Sequence, residues 1–87
     1  MKIKIESHTL IRARERGTNN KEILEVIKEG KEVPAKYGKI AKYKIYYFNK
    51  NWFDKYYMQK MVKVFYTIKE NTIITVTVYV FYGKWEK

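Results

Sequence analysis

The chain has 87 residues, 46% hydrophobic and 32% charged, a composition that suits one small globular domain with a modest core and excludes a disordered chain. It has no cysteine and one histidine, which excludes disulfides, thiolate metal sites and multi-histidine metal sites. Lys+Arg number 19 against 9 Asp+Glu, a formal net charge of +10. That excess points to a polyanionic partner, nucleic acid before an acidic membrane surface or an acidic protein; solubility and a lysine-rich, heat-adapted style are the plainer accounts.

In chain order, residues 2–6 alternate Lys-Ile-Lys-Ile-Glu and predict a short strand with Ile3 and Ile5 facing inward. This start is not the apolar segment of a secretory signal, and the expected location is cytoplasmic. Ser7 reads as an N-cap for a helix ending at Arg16, with Gly17 where a left-handed residue is wanted. A polar link, Thr18-Asn19-Asn20, carries the next cap. Residues 21–29 predict a second helix, with Ile23, Leu24, Val26 and Ile27 inward, Glu25 and Lys28 outward, and Gly30 at its end. Residues 31–39 hold the single proline and read as a loop.

From Ile40 the period becomes two. Residues 40–48, 56–68 and 72–82 predict strands, joined by a loop at 49–55 and a tight reversal at Lys69-Glu70-Asn71. The longest apolar-rich stretch, 73–82, is too short to span a bilayer as a helix, and no membrane is expected. The order β-α-α-β-β-β predicts an α+β domain: two N-terminal helices packed on an antiparallel sheet of about four strands. In the last strand Ile74, Val76, Val78 and Val80 form an aliphatic row that suits the helix-covered face. Ile73, Thr75, Thr77, Tyr79 and Phe81 form a mixed row. Val62, Val64, Tyr66 and Ile68 match the covered face, and Lys63, Phe65 and Thr67 the open one.

The stretch SHTLIRARERG, residues 7–17, holds the histidine and all three arginines; the other sixteen basic residues are lysines. Arginine brings a planar, permanently charged fork that fits phosphate, and lysine does not. On a helix His8, Arg12 and Arg16 fall on one stripe, with Glu15 beside it. That set can carry RNA cleavage through the 2′-hydroxyl. His8 would exchange the proton, Arg12 and Arg16 would hold the phosphate, and Glu15 would orient a guanidinium or act as base, with no metal or cofactor. The same residues also make an ordinary solvated helix face, in which an i, i+3 Arg–Glu pair contributes about 0.2–0.5 kcal/mol.

Aromatic residues make up 17% of the chain, and many alternate with lysines between 36 and 60. Bases stack on aromatic rings while lysines follow the phosphates, which nominates Lys42, Lys44, Tyr46, Lys63 and Thr77 for nucleic-acid binding, with Tyr79 beside the catalytic stripe. Sheet-edge protection by lysine and a protein interface using the aromatic strands are the other readings. Gly-rich phosphate loops, ribonucleoprotein signatures and zinc patterns are absent.

Residues 7–30 resemble the start of the domain-of-unknown-function 4258 family. The shared marks are Ser7-His8, Arg12, Glu15-Arg16-Gly17 and Glu22-Ile23, and the Thr77-Val78-Tyr79 strand matches the family's end. The resemblance implies a curved-sheet fold similar to the RelE-like toxins and the barnase/colicin/RelE group, many of them metal-independent ribonucleases. It also implies a neutralising antitoxin protein as a partner. The expectation is therefore a toxin-like metal-independent endoribonuclease acting on RNA, with a non-catalytic nucleic-acid-binding module or a protein-interaction domain as alternatives.

Overall fold

The computed structural model describes residues 1–85. Strand β1 (Lys2–Lys4) leads into helices α1 (Ser7–Arg16) and α2 (Asn20–Glu29), followed by β2 (Lys31–Val33), β3 (Ile40–Trp52), β4 (Lys55–Lys69) and β5 (Thr72–Gly83). The architecture is α+β, as expected. The sheet, however, has five strands in the order β1-β5-β4-β3-β2, and it is mixed, because β1 runs parallel to β5.

The additional strand lies where a loop was expected. Residues 31–33 pair with the outer edge of β3, Lys31 opposite Tyr43 and Val33 opposite Ala41. Pro34 follows at once, and a residue without an N–H cannot extend that ladder. The loop expected at 49–55 is also smaller. A bulge between Tyr47 and Lys50, with Asn49 at φ 51°, resets the register, and the β3–β4 ladder resumes to Trp52 opposite Lys55. Phe53 and Asp54 make the two-residue turn, both at positive φ, as do Glu70 and Asn71 in the next hairpin.

Ser7 is not the cap of α1. It is the first helical residue, and Glu6 takes the cap position with its C=O accepting from the Thr9 and Leu10 N–H groups. The Glu6 N–H donates to Thr75 Oγ1 at 3.0 Å, so the helix start is tied to the sheet and not closed by its own side chain. At the other end Gly17, at φ 93°, turns the chain and donates to the Ala13 C=O. Asn19 caps α2 through Oδ1 and the Glu22 N–H at 2.9 Å.

The core lies between the helices and one face of β4 and β5: Ala13, Ile23, Val26, Ile27, Val62, Val64, Tyr66 and Val78. Ile3 and Ile5 pack against it or beside it as their alternation predicted. The last strand departs from its expected row. Phe65 pairs with Thr77 but Tyr66 pairs with Thr75, so Val76 is an extra residue. The bulge exchanges the faces of β5. Ile73 and Thr75 come under the helices, and Thr75 donates to the buried Thr9 hydroxyl at 3.0 Å. Ile74 and Val76 leave the covered row, while Val78 and Val80 keep it. Ile68, expected inside, is exposed.

Two tyrosines point inward with satisfied hydroxyls. Tyr46 donates to Glu25 at 2.8 Å, which makes Glu25 a half-buried acceptor and not the solvent-facing residue that was expected. Tyr82 donates to the Arg16 C=O at 2.7 Å. Burial, helped by Glu25, pushes the Tyr46 phenol far above its ordinary range, and burial pushes Tyr82 up to about 12. A raised phenol pKa means that the folded chain keeps protons the unfolded chain has released, so these groups favour folding fully below the unfolded value of 10.0. The urea midpoint is therefore expected to start falling above that pH and to keep falling toward 12. Tyr46→Phe and Tyr82→Phe should each flatten the decline, and an unchanged slope in both variants would contradict this assignment. No helix among the described residues is long and apolar enough to cross a membrane.

Candidate nucleic-acid interface

Strand β1 covers β5 only from Thr72 to Ile74. Beyond it the β5 edge would present bare carbonyls, and α1 runs alongside. His8 Nε2 donates to the Val76 C=O at 2.7 Å, and Arg16 Nη1 to the Val78 C=O at 2.7 Å. A carbonyl can only accept, so the Nε2 of His8 carries a proton and Nδ1 is the nitrogen left for other work. The Arg16 guanidinium also lies 4.7 Å from the centre of the Tyr79 ring. Arg12 pairs with Glu15 at 3.1 Å, both side chains more than half exposed. The structure thus brings His8, Arg16 and Tyr79 to one edge, and leaves Arg12 and Glu15 as a pair on the helix surface.

The lysine–tyrosine stretch divides by strand parity. Lys42, Lys44 and Tyr46 all point to the helix-covered face and bind α2. Lys42 Nζ donates to the Ile27 C=O at 2.8 Å, Lys44 to Glu29 at 2.8 Å, and Tyr46 to Glu25. The Lys44 hydrogen bond holds the Glu29 carboxyl below the usual carboxylate range. Lysine ammoniums at the end of a helix complement its dipole and its unpaired carbonyls. These three side chains fasten α2 to β3.

Lys63, Thr77 and Tyr79 lie on the opposite, open face, where the ladder aligns them in rows. Ala41, Phe65 and Thr77 form one row, Tyr43, Lys63 and Tyr79 the next, and Ile45, Met61 and Phe81 a third. Phe65 and Tyr79 meet edge to face at 5.8 Å, and Tyr79 and Phe81 stack at 6.3 Å. Lys63 Nζ stands 5.3 Å from the Phe65 ring. Tyr47, Tyr79 and Phe81 are exposed. None of the nine row positions carries a carboxylate, so the face is aromatic and cationic. Beside it, a groove of about 370 Å³ opens between the 34–39 loop and strands β4 and β5, lined by Lys36, Tyr37, Lys39, Phe65, Thr77 and Tyr79 among others.

Phe65 and Phe81 are the site residues that composition did not single out. Their signal was the alternation of their own strands, which already puts Phe65 with Lys63 and Phe81 with Tyr79 on the uncovered face. Among the described residues no group of three or more His, Asp or Glu side chains is placed to hold a metal ion. Comparisons of the chain with protein-family models, with curated proteins and with solved structures find no match.

Proposed function

We propose that the chain binds single-stranded RNA across the open face of its sheet. The observation that carries this is the set of aligned rows: Tyr43, Phe65, Tyr79 and Phe81 exposed or half-buried around Lys63, without a facing carboxylate. Isolated apolar side chains on a surface need no explanation, but a contiguous aromatic face on a soluble-sized, highly basic domain does. Bases of a single strand offer their flat faces to such rings, whereas in a duplex those faces are buried in the stack.

The test is fluorescence anisotropy of a labelled single strand of roughly ten nucleotides, close to the site size of a small sheet-based domain. The expected binding weakens steeply with salt, by about 0.7 log units in affinity per log unit of salt for each phosphate neutralised. Tyr79→Ala and Phe81→Ala are each expected to weaken it by roughly 5- to 150-fold, the worth of one lost stacking partner. A duplex of the same sequence that binds as tightly as the single strand would refute the stacking reading.

A second reading, metal-independent cleavage of that RNA by a RelE-like or barnase-like domain, draws on one further observation. His8 and Arg16 sit on carbonyls of the same strand edge, beside Tyr79. His8 would exchange a proton through Nδ1, and Arg16 would meet the phosphate after releasing the Val78 C=O. Arg12 would join only by leaving Glu15. Incubation of mixed RNA with the wild-type chain in EDTA should then give product, and His8→Ala should give none. Equal products from both chains would end this reading and leave the binding reading intact.

A further inference from the structure

The groove beside the open face has features that the stacking rows do not explain. Its floor is Phe65, Val76, Thr77 and Tyr79, and its wall is the loop from Pro34 to Lys39. That loop closes on a hydrogen bond from the Lys39 N–H to the Lys36 C=O at 3.2 Å. The two central residues, Tyr37 and Gly38, are at φ 59° and 71°. The turn therefore fixes Lys36 and Lys39 side by side at the rim. Gly38 suits the left-handed region, but Tyr37 does not, and the residue is 89% exposed. An aromatic side chain held in a disfavoured conformation and left in solvent gains nothing from the fold that places it there. The Thr77 hydroxyl makes no hydrogen bond among the described residues, although it faces the same groove. Among the described residues no carboxylate lines the groove.

We propose that this groove takes one unstacked nucleotide of the bound single strand. This rests on the single-stranded RNA reading given above and adds to it a dedicated base site. The base lies between the Tyr37 ring and the Phe65–Tyr79 floor. Thr77 meets its polar edge, and Lys36 and Lys39 hold the adjoining phosphate. The volume of about 370 Å³ lies at the lower end of small-molecule sites, which matches one nucleotide and not a stacked pair. The charge complementarity is one-sided: two ammoniums at the rim and, among the described residues, no acid lining the groove to repel a phosphate. Because the floor residues Thr77 and Tyr79 belong to the open-face rows, a strand lying across those rows reaches the groove without leaving the sheet.

The experiment uses the full chain and the labelled single strand, together with copies of that strand in which one base at a time is removed. With the wild-type chain, one position should stand out, its abasic strand binding on the order of tenfold more weakly than the intact strand. Tyr37→Ala should lose a similar factor on the intact strand and lose nothing more at that abasic position, because base and ring report the same contact. Lys36→Ala/Lys39→Ala should weaken binding well beyond Lys21→Ala/Lys28→Ala, which removes equal charge from exposed positions on α2. All these side chains are solvent-facing or partly so, and thermal melts identify any variant that has lost its fold. If the wild-type chain binds the strand, but Tyr37→Ala binds as wild type and every abasic position behaves alike, the groove is not a base site and the sheet-face reading stands. If the wild-type chain does not bind the single strand at low salt, both readings fall.

Discussion

Replacing Lys60 by alanine is expected to cost about 3–5 kcal/mol, the loss typical of a buried charge left without its partner. Lys60 is read from sequence as one more basic residue in a lysine–tyrosine stretch, yet its side chain is only 10% exposed. Its ammonium donates to the Gly17 C=O at 2.8 Å and pairs with Glu22 at 2.9 Å, and Glu22 also accepts from Thr18 at 2.7 Å. It stands 5.9 Å and 5.8 Å from the Tyr46 and Phe48 rings as well. One cation thus joins the end of α1, the start of α2 and the middle of β4. Removing it strands a carboxylate that is 18% exposed and a helix-terminal carbonyl together. A domain of this size has a total stability of about 4–13 kcal/mol, so the loss approaches unfolding. Urea titration of Lys60→Ala beside Arg12→Ala is the check. The Arg12–Glu15 pair is more than half exposed and should contribute no more than about 0.5 kcal/mol. Equal midpoints for the two variants would show that the Lys60 network does not hold the helices to the sheet.

The same contrast explains what was legible in the sequence. Both helices, their glycine ends and the three long strands follow from local periodicity and turn chemistry, and they lie within a few residues of their expected bounds. Of the expected stripe, His8 and Arg16 do share a side, both bonded to carbonyls of β5, while Arg12 pairs with Glu15. Its target was not readable, because whether a guanidinium meets a ligand or a strand edge depends on where β1 stops pairing with β5. The confinement of arginine to α1 has a structural account at one of its three positions. Arg16 spans from the helix to the Val78 carbonyl and the Tyr79 ring, a reach and a planar contact that lysine matches poorly. Arg12 pairs with Glu15, and nothing in the structure explains why Arg14 is arginine.

The rows of the open face follow from the alternation, but the facing of the first half of β5 was hidden by one residue. Reading β5 as an unbroken alternation puts Ile74 and Val76 under the helices and Thr75 outside, and the extra residue at Val76 reverses that half of the strand. No local pattern announces a bulge between two long apolar strands; it follows from the pairing of Phe65 with Thr77 and of Tyr66 with Thr75. The lysines divide for the same reason. Lys42, Lys44 and Lys60 share a parity that places them under the helices, whereas Lys63 faces out, and composition alone weighs all four equally. Net charge therefore overstates the cations free to meet a nucleic acid and says nothing of where they lie.

Gly17→Ala is expected to be the second costly substitution, at about 2–4 kcal/mol, because two separate penalties fall on one atom. Gly17 is at φ 93°, where an L side chain is strained, and its place at the end of α1 permits no alternative without losing the Ala13 C=O bond. A Cβ there would also run into the Tyr82 hydroxyl and lie 3.1 Å from the Trp52 ring. Tyr82 cannot move aside freely, since it donates to the Arg16 C=O and stacks on Trp52 at 4.9 Å. Two other glycines separate the penalties. Gly38 is at φ 71° with open space around it, so Gly38→Ala should show strain alone, about 1 kcal/mol. Gly30 has an ordinary φ, but a Cβ would meet the backbone oxygens of Val26 and, at 2.8 Å, Tyr43, so Gly30→Ala should show the clash alone. Unfolding midpoints should rank Gly38→Ala as the mildest and Gly17→Ala as the most severe. If Gly17→Ala were no worse than Gly38→Ala, the contact between the α1 terminus and the Tyr82–Trp52 stack would be loose, and α1 would not be held firmly enough to set His8 and Arg16 on the strand edge.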